Sequence, residues 1–253
     1  MIYDIQKADI WKRISAFIFD KILLFILAVG VAFLLSFAVS FDKYDALYIE
    51  RQEYFGEQYS TNLYMTEEEY EKVSAEEQAR FDEAIVAFSK DEEALYALTM
   101  MFNLTLIITV FSTLAAYMAL EFFVPLAFGN GQTIGKKVFG IAVMRMDGVK
   151  LSPMFLLIRT LLGKYTVETM VPLLILIGIG FSLVDITGVI VMAIIVITNI
   201  AMIIATRTNS PIHDMLANTV AVDMASQLIF NTPEEVLAYK QRVHAEMVDK
   251  SEY

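Results

Sequence analysis

Long apolar runs separated by polar segments form the dominant pattern of this sequence. The runs cover residues 14–40, 94–128 and 167–205. A helix needs about 20 apolar residues to cross a bilayer, and the third run would form a helix of roughly 58 Å if it were continuous. Polar residues at 185–188 interrupt that run. The pattern therefore predicts four membrane-spanning helices, with a tight turn between the last two.

A polar segment, residues 42–93, separates the first two apolar runs. It contains 16 acidic and 5 basic residues, whereas the rest of the chain contains 14 of each. Thr66 and Glu69 have the spacing of an N-terminal capping box, which predicts a helix start. Ser74 and Glu77 repeat that spacing for a second helix. We predict a helical acidic insertion, which is either a solvated cap that packs on itself or a funnel that concentrates cations.

Residues 129–166 form a basic segment between the second and third spans. Six lysines and arginines accompany a single acidic residue, Asp147. Short loops rich in lysine and arginine stay on the cytoplasmic side of a membrane, so this segment is predicted to be cytoplasmic. Counting spans in both directions then places both termini in the cytoplasm and the acidic insertion outside the cell.

The basic segment also contains patterns typical of secondary structure. Asp147-Gly148 lies between two β-competent runs, which predicts a small cytoplasmic β-hairpin. Ser152 followed by Pro153 is typical of a helix N-terminus and predicts a short interfacial helix that includes Arg159. On this interpretation the third span begins after the interfacial helix, near residue 167.

The polar tail after the last span contains one further helix pattern. Thr232, Pro233 and Glu235 predict a helix start, and Val236 and Tyr239 belong to its apolar face. This helix either docks on its own protein or binds a partner. The chain thus divides into an N-terminal tail with the first span, the acidic insertion, the second span, the basic segment, the last two spans and the tail, at residues 1–41, 42–93, 94–128, 129–166, 167–205 and 206–253.

Composition supports a membrane protein and argues against several other classes. Hydrophobic residues make up 57% of the 253, and the mean hydropathy is +0.56. The net charge of -11 comes from the acidic insertion, so charge does not favour nucleic-acid binding. The absence of cysteine excludes disulfides and thiolate metal sites, and two histidines are few for a histidine-rich site. We expect no metal, no cofactor and no enzymatic activity.

Asp20 and Glu121 are acidic residues inside the predicted spans, where charged side chains are costly and are functional candidates. Asp20 and Glu121 are each about two helical turns from the cytoplasmic end of their span, and therefore at similar depth. Two nearby charged carboxylates repel each other, which raises the pKa of one of them. Such a pair could therefore hold and release a cation or a proton. Alternatively, both tie helices together through a basic partner or a hydrogen bond. The basic candidates are Arg13, Lys21 and Arg159.

Two other motifs are weaker. GNGQTIGKK is similar to a phosphate-binding loop, but Asn130 occupies the first glycine position and Lys137 replaces the required serine or threonine. His213 and Asp214 could be a base with its orienting carboxylate or two metal ligands, but no third ligand or nucleophile has a matching spacing. A juxtamembrane turn or a salt bridge explains that pair more simply.

Three segments together resemble the RDD family of bacterial membrane proteins, named for an arginine and two aspartates. They are RISAFIFD, EFFVPLAFGNGQTIGKKVFGIAVMRMDGVKLSPMFLLIRTLLG and PIHDMLANTVAV. The resemblance implies an integral membrane protein for which transport has been suggested, and it leaves out residues 42–93 and the helix after Asn231. The charged and histidine residues within these segments that match the family pattern are Arg13, Asp20, Glu121, Lys136, Arg159, His213 and Asp214.

The predicted fold is an all-α membrane protein with four transmembrane helices, a helical acidic extracytoplasmic insertion and a small cytoplasmic β-hairpin. We expect a multi-pass protein of the cell membrane with both termini cytoplasmic. It contacts the lipid bilayer, and its basic cytoplasmic face contacts anionic headgroups. Four helices leave little room for a lined cavity, which favours a homo-oligomer.

The leading functional hypothesis is transport of a cation or small solute, with Asp20 and Glu121 on the pathway in the inner leaflet. The alternative is a non-transporting scaffold or sensor that binds protein partners through the acidic insertion and the C-terminal helix. The residues expected to support the pathway electrostatically are Arg13, Lys136, Arg159, His213 and Asp214.

Overall fold

The computed structural model describes residues 5–251 of the chain, with side chains to residue 248. The outermost residues of both predicted tails, 1–4 and 252–253, lie outside the described part. The fold is 72% helical, and it divides into two compact units. The core unit comprises Met1–Val31 and Ser112–Tyr253, and the acidic unit comprises Ala32–Phe111.

Four helices within residues 5–251 are long and apolar enough to cross a membrane. The predicted fold class of a four-span helical membrane protein is therefore confirmed. The second and third of these helices each contain a π-helical stretch between two α-helical ones. The four helices are Ile10–Ala38, Glu92–Phe128, Pro153–Gly180 and Ile186–Ala205.

The first two long helices follow the predicted apolar runs closely. Helix α1 is Ile10–Ala38. The second long helix consists of α5 (Glu92–Tyr117), the π-helical segment π1 (Met118–Phe123) and α6 (Val124–Phe128). It ends at Gly129, whose φ of 83° lies in the left-handed region that glycine adopts easily.

The third long helix begins earlier than the sequence pattern predicts. It runs without interruption through α8 (Pro153–Leu157), π2 (Ile158–Met170) and α9 (Val171–Gly180), so the expected interfacial helix and third span are one helix. Arg159 and Lys164 are buried within it. We expected these charges to mark the membrane interface, but charged side chains can lie inside a span when protein groups pair with them.

A two-stranded antiparallel sheet lies in the core unit. Strand β1 (Ile141–Arg145) pairs with β2 (Thr219–Asp223), with Val143 opposite Ala221. The predicted turn at Asp147-Gly148 is present and returns Lys150 to Met144 through an isolated bridge. The main partner of β1 is nevertheless the distant β2, and the first four residues of each strand are buried.

Each strand follows a short helix of five residues. Helix α7 (Ile134–Val138) precedes β1, and α11 (Ile212–Leu216) precedes β2. The sheet contacts α1 on one side, where Ile141 and Ala221 cluster with Ala16. The two helix–strand pairs, α7–β1 and α11–β2, therefore bring the central and the closing RDD-like segments together beside Ala16 of α1.

The acidic unit contains helices α2 (Phe41–Gln58), α3 (Glu67–Tyr70) and α4 (Ala75–Phe88). Helix α3 begins with the predicted capping box, in which the Thr66 hydroxyl and the Glu69 carboxylate each accept the other's backbone N–H. At the start of α4 the Ser74 hydroxyl accepts from the Glu77 backbone. An apolar cluster of Phe55, Leu63 and Ala84 holds the unit together.

The remaining two helices complete the chain. Helix α10 (Ile186–Ala205) is capped by the Asp185 carboxylate, and α12 (Pro233–Ser251) starts where Thr232 and Pro233 predict. In α12, Val236 is buried while Leu237 is 57% exposed. The C-terminal helix therefore docks on its own chain at its start and exposes apolar surface further along.

Candidate functional site

A cavity of about 530 Å³ lies in the core unit. Apolar side chains from α1 and α10 line it together with charged side chains from α1, π1, α7, π2 and α11. Its four carboxylates are Asp20, Glu121, Glu168 and Asp214. Its five basic side chains are Arg13, Lys21, Lys136, Arg159 and Lys164.

The Asp20 carboxylate is held at the start of α7. Thr133 caps this helix by accepting from the Lys136 backbone at 3.3 Å, and its hydroxyl donates to Asp20. The Gly135 backbone donates to the other carboxylate oxygen at 2.7 Å. A Cβ at Gly135 would lie 2.9 Å from the Asp20 carboxyl carbon, so this contact requires glycine.

Lys136 links the two carboxylates that the sequence singles out. Its Nζ lies 3.8 Å from Asp20, and it also interacts electrostatically with Glu121. Burial lowers the pKa of Lys136 to about 7, and the neighbouring charges of Lys164 and Arg159 act in the same direction. Its ammonium is therefore easier to deprotonate than that of a solvated lysine.

Glu121 lies on π1 and is 3% exposed. Its carboxylate accepts a hydrogen bond from the Lys164 ammonium of π2, which forms a buried ion pair. The Thr160 hydroxyl donates to the Glu121 backbone carbonyl at 2.9 Å. This ion pair therefore joins the π-helical segments π1 and π2. Both of its residues lie within helices that are candidate membrane spans.

Arg159 and Asp214 form a second buried ion pair, in which both residues are 1% exposed. Arg159 Nε donates to Asp214 Oδ1 at 2.8 Å, and the Thr219 hydroxyl donates to the same oxygen at 2.8 Å. Burial alone would raise the pKa of Asp214, but the Arg159 guanidinium and these hydrogen bonds hold it below its usual range. The Arg13 guanidinium lies 3.9 Å from the other oxygen.

His213, next to Asp214 on α11, pairs with Glu168 of π2. Its Nδ1 lies 2.8 Å from the Glu168 carboxylate, which also accepts from the His213 backbone N–H at 3.1 Å. Burial lowers the pKa of His213, so the imidazole is neutral at pH 7 and donates from Nδ1. A Cβ at Gly163 would lie 2.6 Å from the His213 Cα, so α11 can approach π2 only at a glycine.

All seven residues that the sequence identifies as candidates line this one cavity. Their roles in transport stay a prediction. Sequence reasoning did not identify Lys164 and Glu168 as members of the site, although the two are four residues apart and so lie on one helix face. The seven are Arg13, Asp20, Glu121, Lys136, Arg159, His213 and Asp214.

A resident metal is not indicated by the geometry of the site. Among residues 5–251, no group of three or more histidine, aspartate or glutamate side chains is arranged to hold a metal ion. Each carboxylate of the cavity instead has a basic side chain or hydrogen-bond donor beside it. The chemistry available here is charge pairing and proton exchange.

Comparison with known proteins identifies the family of the chain. No curated protein and no solved structure matches the chain. The model of the RDD family matches residues 7–218, which include every charged residue of the cavity and strand β1 and end directly before β2. The protein is an integral membrane protein and belongs to the RDD family.

Proposed function

We propose that this protein moves a small cation or solute across a membrane through the cavity that Asp20 and Glu121 line. The observation that carries the proposal is that both intramembrane carboxylates face one space of about 530 Å³ and that each has a lysine partner. Ionisable groups at membrane depth are costly, and they commonly mark ion pathways and proton relays. The cavity forms within one chain, so the proposal does not depend on the homo-oligomer expected from the sequence.

The pairing of each carboxylate with a lysine constrains how a cation enters. A cation that binds Asp20 competes with the positive charge of Lys136, 3.8 Å away. If Lys136 first releases its proton, Asp20 keeps a full negative charge and accepts the cation with no change in net charge. One proton leaves for each positive charge that enters, which makes the step an electroneutral exchange.

The pKa of Lys136 makes this exchange accessible at neutral pH. With a pKa of about 7, the neutral amine is a minor form one pH unit below that value and the major form one unit above it. Thr133 and Gly135 donate to the Asp20 carboxylate, and the Thr133 hydroxyl also accepts from Lys136 Nζ at 3.2 Å, so Lys136 is linked to Asp20 through Thr133 as well.

Flux into proteoliposomes tests the proposal. A gradient of Na⁺ or K⁺ applied to vesicles that contain the full chain and a trapped pH dye should change the internal pH. Asp20→Asn and Glu121→Gln should each abolish that change. Asp185→Asn is the matched control, since asparagine caps α10 as aspartate does and residue 185 does not line the cavity. Absence of flux in the unaltered protein, or flux unchanged by both cavity substitutions, contradicts the proposal.

The pH dependence of the flux tests the part played by Lys136. The rate of cation entry should rise about tenfold from about pH 6 to about pH 8, as the neutral amine changes from minor to major form. Lys136→Arg should remove this rise and most of the flux, because a guanidinium does not lose its proton in this range. A pH profile that is the same in Lys136→Arg and the unaltered protein would show that another group supplies the proton.

A scaffold that binds protein partners is the second candidate. It is favoured by the apolar side chains that α12 exposes, Leu237 at 57% and Met247 at 50%. Deletion of residues 232–253 should then remove co-purifying proteins and leave vesicle flux unchanged. Partners that persist after this deletion would exclude α12 as the binding element.

A further inference from the structure

Hydrogen-bond donors and acceptors are unequally used in the cavity. Every carboxylate there already accepts from at least one donor of the protein, so a ligand that donates hydrogen bonds competes with these donors. The pairs are Asp20 with Thr133 and Gly135, Glu121 with Lys164, Glu168 with His213, and Asp214 with Arg159 and Thr219.

The basic side chains, in contrast, retain unused donors. Arg159 has five N–H donors, and its recorded hydrogen bond uses only Nε, while Nη1 is buried with no partner. Lys21 donates to a neutral group, the Tyr117 hydroxyl, at 2.6 Å. Arg13 donates to the Thr208 carbonyl at 3.1 Å. A buried donor without a partner is costly, so a ligand that supplies acceptors gains the most here.

Apolar surface leads from these donors to the outside of the helices. Ile14 and Phe17 of α1 line the cavity from one side, and Val196 and Ile200 of α10 line it from another. Phe17 and Ile200 are also 55% and 52% exposed. Both helices are candidate membrane spans, so this apolar surface lies at the depth of lipid acyl chains.

We infer that the cavity binds an anionic lipid, with its phosphate group at Arg159 and its acyl chains along the apolar surface of α1 and α10. A phosphate has acceptor oxygens and no competing need for acceptors, which matches the unused donors. The apolar walls match acyl chains and not a freely soluble anion. A space of about 530 Å³ is large enough for a headgroup while the chains remain in the bilayer.

This site is distinct from a general attraction of basic surface residues to headgroups. Arg159 is 1% exposed and lies within a span, so a headgroup reaches it only by entering the cavity. The inference does not depend on transport, and lipid binding can succeed or fail in a chain with or without ion flux.

Lipid retention by the purified full chain tests the inference. The protein is reconstituted in nanodiscs of equal phosphatidylglycerol and phosphatidylcholine, and the retained lipid is measured by native mass spectrometry after release. We expect phosphatidylglycerol to be retained about tenfold over phosphatidylcholine, because both lipids supply a phosphate but only phosphatidylcholine also brings a cationic choline, which the five basic side chains of the cavity repel. Equal retention of the two lipids overturns the inference.

Two variants locate the site. Arg159→Lys keeps a positive charge but lacks the guanidinium fork, and it should reduce the preference for phosphatidylglycerol severalfold. Ile200→Trp narrows the apolar approach at an exposed position that tolerates a large side chain, and should do the same even if Arg159→Lys fails to fold. Ile204→Trp is the matched control, because Ile204 is on the same helix, is 76% exposed and does not line the cavity. Preference retained in Ile200→Trp contradicts the proposed approach.

A separate arm distinguishes a lipid from a free anion. Inorganic phosphate is added to the protein in phosphatidylcholine nanodiscs, and thermal stability is followed. We expect phosphatidylglycerol to raise the unfolding midpoint and inorganic phosphate to have no effect below millimolar concentration. Stabilisation by inorganic phosphate without any preference for phosphatidylglycerol would replace the lipid with a soluble anion and overturn the inference.

Discussion

Two arginine–aspartate pairs, one in each unit, place the same chemistry in opposite surroundings. Arg159 and Asp214 in the core unit have side chains 1% and 2% exposed, and one hydrogen bond of 2.8 Å joins them. Arg51 and Asp91 in the acidic unit have side chains 20% and 13% exposed, and two hydrogen bonds of 2.9 and 2.7 Å join them. The bidentate pair, Arg51 and Asp91, is therefore the more exposed of the two.

The difference extends to the whole of each unit. The acidic unit has an apolar centre around Phe55, Leu63 and Ala84, and it turns its carboxylates outward. The core unit buries charged side chains and exposes apolar ones, such as Phe25 of α1 and Ile204 of α10. Burial of charge is therefore a property of the cavity and not of ion pairs in general in this chain.

The largest expected effect is loss of one partner of the buried pair. Arg159→Met or Asp214→Asn should each lower the free energy of unfolding by about 3–5 kcal/mol, because the remaining group stays buried without its partner. The double variant should be less destabilised than the sum of the two single variants. The midpoint of thermal unfolding in detergent measures this. Additive losses in the double variant would show that the two groups act independently.

The pH dependence of stability checks the same pair. The pKa of Asp214 is lowered in the folded protein, so its ionisation stabilises the fold above the usual aspartate range. That contribution should fade as the pH falls below about 4, and Asp214→Asn should lose that part of the acid sensitivity. An unchanged acid profile in Asp214→Asn would exclude Asp214 as a source of it.

An intermediate effect is expected where the backbone allows π2 and α11 to approach. Gly163→Ala places a methyl group against His213 and should cost about 1–3 kcal/mol through overpacking. Gly30→Ala in α1 is the matched control, since a Cβ there meets nothing within 4 Å. It should leave stability unchanged or raise it by about 1 kcal/mol, as expected for alanine in a helix. Equal behaviour of the two variants would show that the close approach is unimportant.

The smallest effect is expected in the acidic unit. Arg51→Met should cost only about 0.2–1 kcal/mol, because a partly exposed pair gains little and salt screens it. The rate of backbone hydrogen exchange in α4 measures the local stability of the acidic unit, which global unfolding does not resolve. Arg80→Met, at an exposed position of α4, should change nothing. If Arg51→Met lowered the free energy of unfolding as much as Arg159→Met does, burial would not explain the difference between the two ion pairs.

Local sequence patterns predicted much of the fold, but they did not predict which distant segments pair with each other. The four apolar helices follow from run length, and the helix caps at Thr66 and Ser74 follow from side-chain chemistry over three residues. The partner of β1 could not be predicted in this way. Pairing with Thr219–Asp223 depends on contacts between segments far apart in the sequence.

The candidate site was predictable in its members but not in its pairings. Arg13, Asp20 and Glu121 stand out as charges within or beside apolar runs. Lys164 and Glu168 do not, because they precede or barely enter the apolar run and resemble interface residues. Only the continuous helix from Pro153 to Gly180 places them at the cavity.

The π-helical segments make the site sensitive to chain length at single positions. A π turn takes one residue more than an α turn between hydrogen-bonded groups, so deletion of one residue from Met118–Phe123 would let the helix relax to α geometry. Because the π turn accommodates that extra residue, its removal would leave the flanking α-helices nearly in phase and would change the direction only of side chains within the segment, such as Glu121. Such a deletion can keep Glu121 and Lys164 in the sequence and still turn Glu121 away from Lys164, so in this protein the extra residue of the π turn is as much a part of the site as the charges on it.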